Sequence, residues 1–258
     1  MKKGSPPRTP PRKTSRFILR EQHDLQEGIT MTKVSSAENP NANKRVFGYI
    51  EVVFNALYLL TAAILGIYLL ARANTLPQTL SGVMALVLAG GDAFHLVPRI
   101  MAAVTGSQAR FQKALGTGKL VTSITMTAFY VLLWHIGLLL FKPAGTGVYT
   151  GILYGLAALR VLLCLFPQNK WLDDAPPVSW GIYRNLPFLI MGVMVAVLFG
   201  SHAQSVPALS LLWLAVALSF AFYIPVVLFS NANRKVGMLM LPKTCAYLWI
   251  LFMFTQLA

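Results

Sequence analysis

Three side chains with acid–base or anion-binding chemistry fall within eight residues of one another in GGDAFHLVPRI, Gly90 to Ile100: Asp92, His95 and Arg99. At about 3.6 residues per turn they project from one helical face. Glu51, Asn55 and Tyr58 share a face by the same spacing. An acid three residues from an imidazole can share a proton that titrates near neutral pH, and a nearby arginine or lysine can hold an anionic group. The setting makes these residues informative. Each lies in or at the end of a long apolar run, where a charge facing lipid costs at least about 2.5 to 3.5 kcal/mol near mid-membrane. Glu51 and Asp92 are the only acids inside such runs, and Arg160 and Lys243 are the clearest bases.

The elements that must position them follow from hydropathy. The chain has 258 residues, of which 56% are hydrophobic and 12% charged, against about 25% charged in soluble domains. Crossing about 30 Å of hydrocarbon takes roughly 20 apolar residues. Seven runs approach that length, at 46–71, 79–97, 120–141, 148–166, 186–200, 207–230 and 237–257. The fifth is the shortest, with an apolar stretch that begins only after Pro187. The expected fold is all-α, a polytopic membrane protein built as a seven-transmembrane-helix bundle over 46–258.

Charge sets the expected orientation. Ten of the 22 Lys and Arg precede the first run, and Arg99, Arg110, Lys113 and Lys119 lie between the second and third. Lys170 and Arg184 follow the fourth, and Arg234, Lys235 and Lys243 cluster at the start of the seventh; the opposite loops hold only Arg72 and Lys142. By the positive-inside rule the N-terminus is in and the C-terminus out. The formal charge of +14 is then a topological signal, and nucleic acid is not an expected partner.

In that orientation Glu51, Asn55, Asp92, His95, Arg160 and Lys243 all fall in the cytoplasmic third, each able to face one bundle interior. Pairing the two acids with two bases leaves little net charge. Pro225 and Pro242 lie at the same level, where each is expected to free a carbonyl one turn earlier, and broken helices at membrane depth line protein or a polar cavity. Simpler readings stand beside these: Arg99 and Lys243 as snorkelling anchors, Asp92 and Arg160 as a structural ion pair, His95 and His135 as hydrogen-bonded structural histidines. The loop NKWLDDAPPVSWGIYRNLPF, from Asn169 to Phe188, places Trp171, Trp180 and Tyr183 at headgroup level and is expected to pack under the bundle, with Asp173 and Asp174 free to meet basic loops.

Residues 1–45 are rich in Pro, Ser, Lys and Arg without apolar periodicity and are expected to be disordered. No secretory signal peptide is expected there. Gln26-Glu27-Gly28 can be encoded by a purine-rich stretch resembling a bacterial ribosome-binding site just ahead of Met31, so residues 1–30 are candidates for untranslated sequence; the alternative is a basic tail that touches anionic lipid. Cys164 and Cys245 both lie inside apolar runs and offer no extracellular disulfide framework.

The segments GDAFHLVPRI, LCLFPQNKW, GIYRNLPF and MLMLPKTCAYLW resemble an uncharacterised family of multi-pass membrane proteins from Gram-positive bacteria. The resemblance covers the chain from about Lys44 to its end and implies the bacterial plasma membrane, with no particular activity. A fainter similarity is to the seven-span hydrolase superfamily of alkaline ceramidases and progestin/adipoQ-type receptors, in span number, in Glu51 near Asn55 and in Phe94-His95. That superfamily holds zinc with three histidines, two of them on the last span, and the last span here has none. Of four histidines, His23 is in the tail, His202 in an outer loop and His135 in the outer half, so a three-histidine zinc site is not expected, nor any other metal or cofactor. Two functions remain. One is a membrane protein binding or transporting a small polar ligand, proton or lipid headgroup through a cytoplasmic-side pocket of Glu51, Asn55, Asp92, His95, Arg160 and Lys243. The other is a membrane hydrolase acting on lipid, with Asp92 and His95 as acid and base. A cluster that only fixes helix packing is the third possibility.

Overall fold

In the computed structural model the chain is described over residues 40–173 and 175–257, together with Gly4; side chains are described from Gly48 onward, Arg234 excepted. The readings made on residues 1–39, including His23 and the start at Met31, and on Asp174 lie outside the described residues. Among the described residues seven α-helices follow one another: α1 Pro40–Ala71, α2 Leu76–Thr105, α3 Gln108–Phe141, α4 Gly147–Leu165, α5 Val178–Ser201, α6 Leu212–Phe229 and α7 Met240–Thr255. Short 3₁₀ turns precede α6 and α7 at Pro207–Leu209 and Arg234–Leu239, and a third follows α4 at Pro167–Asn169. No strand occurs among the described residues. Taken with the 3₁₀ turns that lead into the last two, all seven helices are long and apolar enough to cross a membrane.

Several boundaries differ from those expected, for local reasons. The fifth run is not short: α5 begins at Val178 and continues through Pro187 for 24 residues. Its first two turns carry Trp180, Tyr183, Arg184 and Asn185, which masked the helix in a reading based on apolar length. Similarly, α2 continues past Pro98 to Thr105 and ends on Gly106 in the left-handed region, φ 67°, the conformation glycine adopts without strain. α1 starts at Pro40, ahead of the expected boundary at Val46. Pro225 is interior to α6 as expected. Pro242, however, is the third residue of α7. Amides of a first turn have no intrahelical acceptor anyway, so this proline begins a helix rather than breaking one.

Apolar faces turn outward as well as inward. Leu57, Leu60, Ile64 and Ile67 of α1 are each more than half exposed, and similar rows run along the other helices, an arrangement that water would penalise and lipid accepts. Between helices in lipid, close packing and polar contacts replace the hydrophobic effect. α2 lies along α3, and α3, α4, α5, α6 and α7 pack in succession, with α7 returning to α2. Gly118 of α3 sits directly against the carbonyl oxygen of Phe94 and Cα of His95 on α2. Thr122 Oγ1 donates to the Gly91 carbonyl at 2.9 Å, one helical turn away. Between α5 and α6, Gly192 meets the ring of Phe220. The core is aromatic at one level: Tyr130 and Phe188 pack edge to face at 4.9 Å, and Phe188 lies 4.9 Å from Phe220.

Candidate functional site

Glu51, Asn55, Asp92, His95, Arg160 and Lys243 lie toward the end of the bundle that carries the α2–α3, α4–α5 and α6–α7 connections. On the α1–α2 pair two rungs form. Glu51 accepts from Nε of Arg99 in a pair whose side chains are 39% and 49% exposed, respectively. Seven residues further along α1 and seven back along α2, Tyr58 donates its hydroxyl to Oδ2 of Asp92 at 2.6 Å. Arg99 is therefore paired as well as near the helix end, and Glu51 has a partner at the rim rather than in the interior. Asn55, one turn from each rung on α1, is 7% exposed.

Neither intramembrane cation takes Asp92 as a direct ion-pair partner; among the described residues no acid oxygen lies within 4.0 Å of Arg160 or Lys243. Both settle on aromatic faces instead. The Arg160 guanidinium, on α4, lies over the ring of Phe188 with Cζ 3.3 Å from the centroid. The residue is 2% exposed, and its Nε and NH1 are buried without a hydrogen bond to protein. Lys243, in the first turn of α7 and 9% exposed, holds Nζ 4.3 Å from the centre of the Tyr223 ring and 5.4 Å from that of Tyr247. Phe188 and Tyr223 are themselves neighbours, 6.2 Å between centroids. Cation–π contacts of this kind contribute about 2 kcal/mol or more when desolvated. They supply no counter-charge. The carboxylate of Asp92 acts electrostatically on Lys243 from beyond ion-pair distance.

His95 and Asp92 do not meet. The acid takes Tyr58, and Nδ1 of His95 is buried without a hydrogen bond. His135 is a satisfied structural histidine: its Nδ1 lies 2.8 Å from the Val131 carbonyl, so that nitrogen donates and Nε2 accepts from the Tyr154 hydroxyl at 2.8 Å. No group of three or more His, Cys, Asp or Glu side chains positioned to hold a metal ion is found among the described residues.

The Trp-rich loop packs at this end of the bundle; of its anchors Trp171 was singled out from sequence, and Asn169 and Arg184 were not. Asn169 is fully buried; its amide donates to the carbonyls of Leu163 at 2.6 Å and Phe166 at 2.8 Å at the end of α4. Its Oδ1 accepts from NH1 of Arg184 at 2.8 Å, and Arg184 lies over the Trp171 ring at 4.3 Å. Trp171 donates to the Cys164 carbonyl at 3.0 Å. Asp173 approaches only Lys170, at 3.9 Å. The other missed residues are the aromatic seats, Phe188 next to Pro187 and Tyr223 two residues before Pro225, which spacing along the chain does not distinguish from the other aromatics. Tyr223 is held in turn, donating its hydroxyl to Asn185 Oδ1 at 3.0 Å.

These features define a multi-pass membrane protein with an excess of buried positive charge at one end of its bundle. No protein-family model, curated protein or solved structure matches the chain.

Proposed function

We propose that this protein sits in the bacterial cytoplasmic membrane with its N-terminus inside and its C-terminus outside, and that it binds or transports a small polar ligand, proton or lipid headgroup at the cytoplasmic end of the bundle. The orientation rests on the alternation of Lys and Arg between connections. The family resemblance of GDAFHLVPRI and its companion segments is in keeping with this membrane.

One observation carries the functional reading: two cations, Arg160 and Lys243, are buried in the bundle, and among the described residues neither has an ion-pair partner. An ion taken from water without a partner loses several kcal/mol of solvation. Charges kept inside membrane helices at that cost mark ligand or ion paths. The Tyr58–Asp92 hydrogen bond supplies a proton carrier beside Lys243, and Glu51 with Arg99 stands at the rim between that carboxylate and the cytoplasm. The hydrolase reading, with Asp92 and His95 as acid and base on a lipid, is the less favoured because the Asp92 carboxylate is engaged by the Tyr58 hydroxyl.

The test is proton movement into proteoliposomes under an imposed potassium diffusion potential, followed with an entrapped pH dye. Flux is expected from the parent protein and a loss of at least tenfold in Asp92→Asn. Equal flux in parent and variant would remove the carboxylate from any proton path.

A further inference from the structure

A lateral crevice on the lipid-facing surface lies one aromatic layer away from Arg160 and Lys243. It lies between α5 and α6, encloses about 100 Å³, and is lined by Leu186, Leu189, Ile224 and Val227 with Asn185 and Tyr223 as its polar members. Leu186 and Ile224 are exposed on the outer face of the bundle, so the crevice opens where acyl chains would be. Tyr223 is shared. Its ring lines the crevice and also carries the Lys243 ammonium at 4.3 Å. Phe220, another wall of the crevice, packs on Phe188 at 4.9 Å, and Phe188 carries Arg160. One aromatic layer thus separates an apolar slot from two buried cations.

Resting on the ligand-binding reading above, we infer that this is the seat of a single-chain anionic amphiphile: its phosphate or carboxylate head lies between Arg160 and Lys243 and its chain runs along the α5–α6 crevice. Charge complementarity selects the head. Arg160 presents two buried N–H groups with no acceptor, Nε and NH1, and a guanidinium matches the oxygens of phosphate or carboxylate in a two-bond fork. The one interior acid is already engaged by Tyr58, leaving the aromatic seat net positive. Shape selects the tail. The slot is comparable in size to apolar cavities of about 150 Å³ that accept a benzene ring, room for part of one chain and too narrow for two. Tyr223, held by Asn185 at 3.0 Å, is the side chain that turns to admit the head.

The experiment uses the full chain in phosphatidylcholine nanodiscs and measures retention of radiolabelled oleoyl lysophosphatidate. Saturable retention is expected, weakened at least tenfold by Arg160→Gln and by Lys243→Gln. Leu189→Trp, which fills the slot and leaves both charges in place, should weaken it as much; this variant and Arg160→Lys keep the test alive if a charge-removing variant does not fold. Inorganic phosphate at millimolar concentration should not compete. No saturable retention by the parent, or retention unchanged in Arg160→Gln, overturns the inference; full competition by phosphate overturns the lipid source and assigns a free anion. Asp92-dependent proton flux that survives alongside any of these failures would leave the broader reading standing, whereas its absence together with no retention would remove both.

Discussion

The Tyr58 hydroxyl meets Oδ2 of Asp92 at 2.6 Å while Glu51 and Arg99 pair seven residues away on the same two helices. Seven residues is about 10.5 Å of helix, so α1 and α2 are pinned at two depths in one antiparallel register. The inner rung places an acid within the field of Lys243, and the outer one closes the register at the rim.

A double-mutant cycle on Tyr58→Phe and Asp92→Asn should give a coupling of about 1 kcal/mol, above the ~0.6 kcal/mol average for hydrogen bonds between membrane helices. Reversible unfolding in mixed micelles provides the measurement. Zero coupling would mean that the carboxylate draws its hydrogen bonds from elsewhere.

Between the two interior cations, Asp92 should couple to Lys243 and hardly at all to Arg160. Removing Asp92 takes away the carboxylate that acts on Lys243 among the described residues, so Asp92→Ala is expected to lower stability and Asp92→Ala with Lys243→Gln to recover part of the loss. Recovery with Arg160→Gln instead would reverse the assignment of partners.

At the rim the expected effect is small. Glu51 and Arg99 are half-exposed, and pairs of this kind contribute about 0 to 1 kcal/mol and weaken in salt. Glu51→Gln should therefore shift the unfolding midpoint little, and less still at high ionic strength; a large loss would place the pair in a drier environment.

Two glycines should answer alanine substitution in opposite ways. A Cβ on Gly192 would collide with the Phe220 ring, whereas one on Gly155 meets nothing within 4 Å. Gly192→Ala should cost about 1 to 3 kcal/mol by overpacking, and Gly155→Ala should be neutral or add up to about 1 kcal/mol by restricting the unfolded chain. Thermal unfolding of the two purified variants separates these outcomes.

Reporter fusions check orientation. A reporter placed after Ala258 is expected outside and one inserted in the 101–118 region inside; the same side for both would require an even number of crossings between them.

Most of the bundle was readable because lipid imposes a length and a composition on each span, and the alternation of basic loops divided the chain at the same places. What hydropathy missed was the start of α5: Trp180, Tyr183, Arg184 and Asn185 lower its apolar count, although Asn169 and Trp171 give Arg184 partners and the Gly181 carbonyl and Tyr223 hydroxyl give Asn185 its own. That Glu51, Asp92, Arg160 and Lys243 lie toward one end of their helices was legible from their positions in the runs. Their partners were not. Charge counting pairs acids with bases, but an aromatic face is a competing seat for a cation, and among 15 Phe, 9 Tyr and 5 Trp spacing along the chain does not single out Phe188 and Tyr223. Only the folded arrangement of α4, α5, α6 and α7 brings those rings beneath Arg160 and Lys243.

The Arg160–Phe188 stack also sets an order of events during synthesis. The ring that receives this guanidinium lies 28 residues downstream of it (188 − 160 = 28), and at about 5 to 20 residues per second the ribosome takes roughly 1 to 6 seconds to deliver it. Until then α4, a 19-residue span with an arginine inside it, has no seat for that charge. Its commitment to a bilayer is therefore expected to wait on α5, with the α4–α5 hairpin, not the single helix, as the unit of insertion.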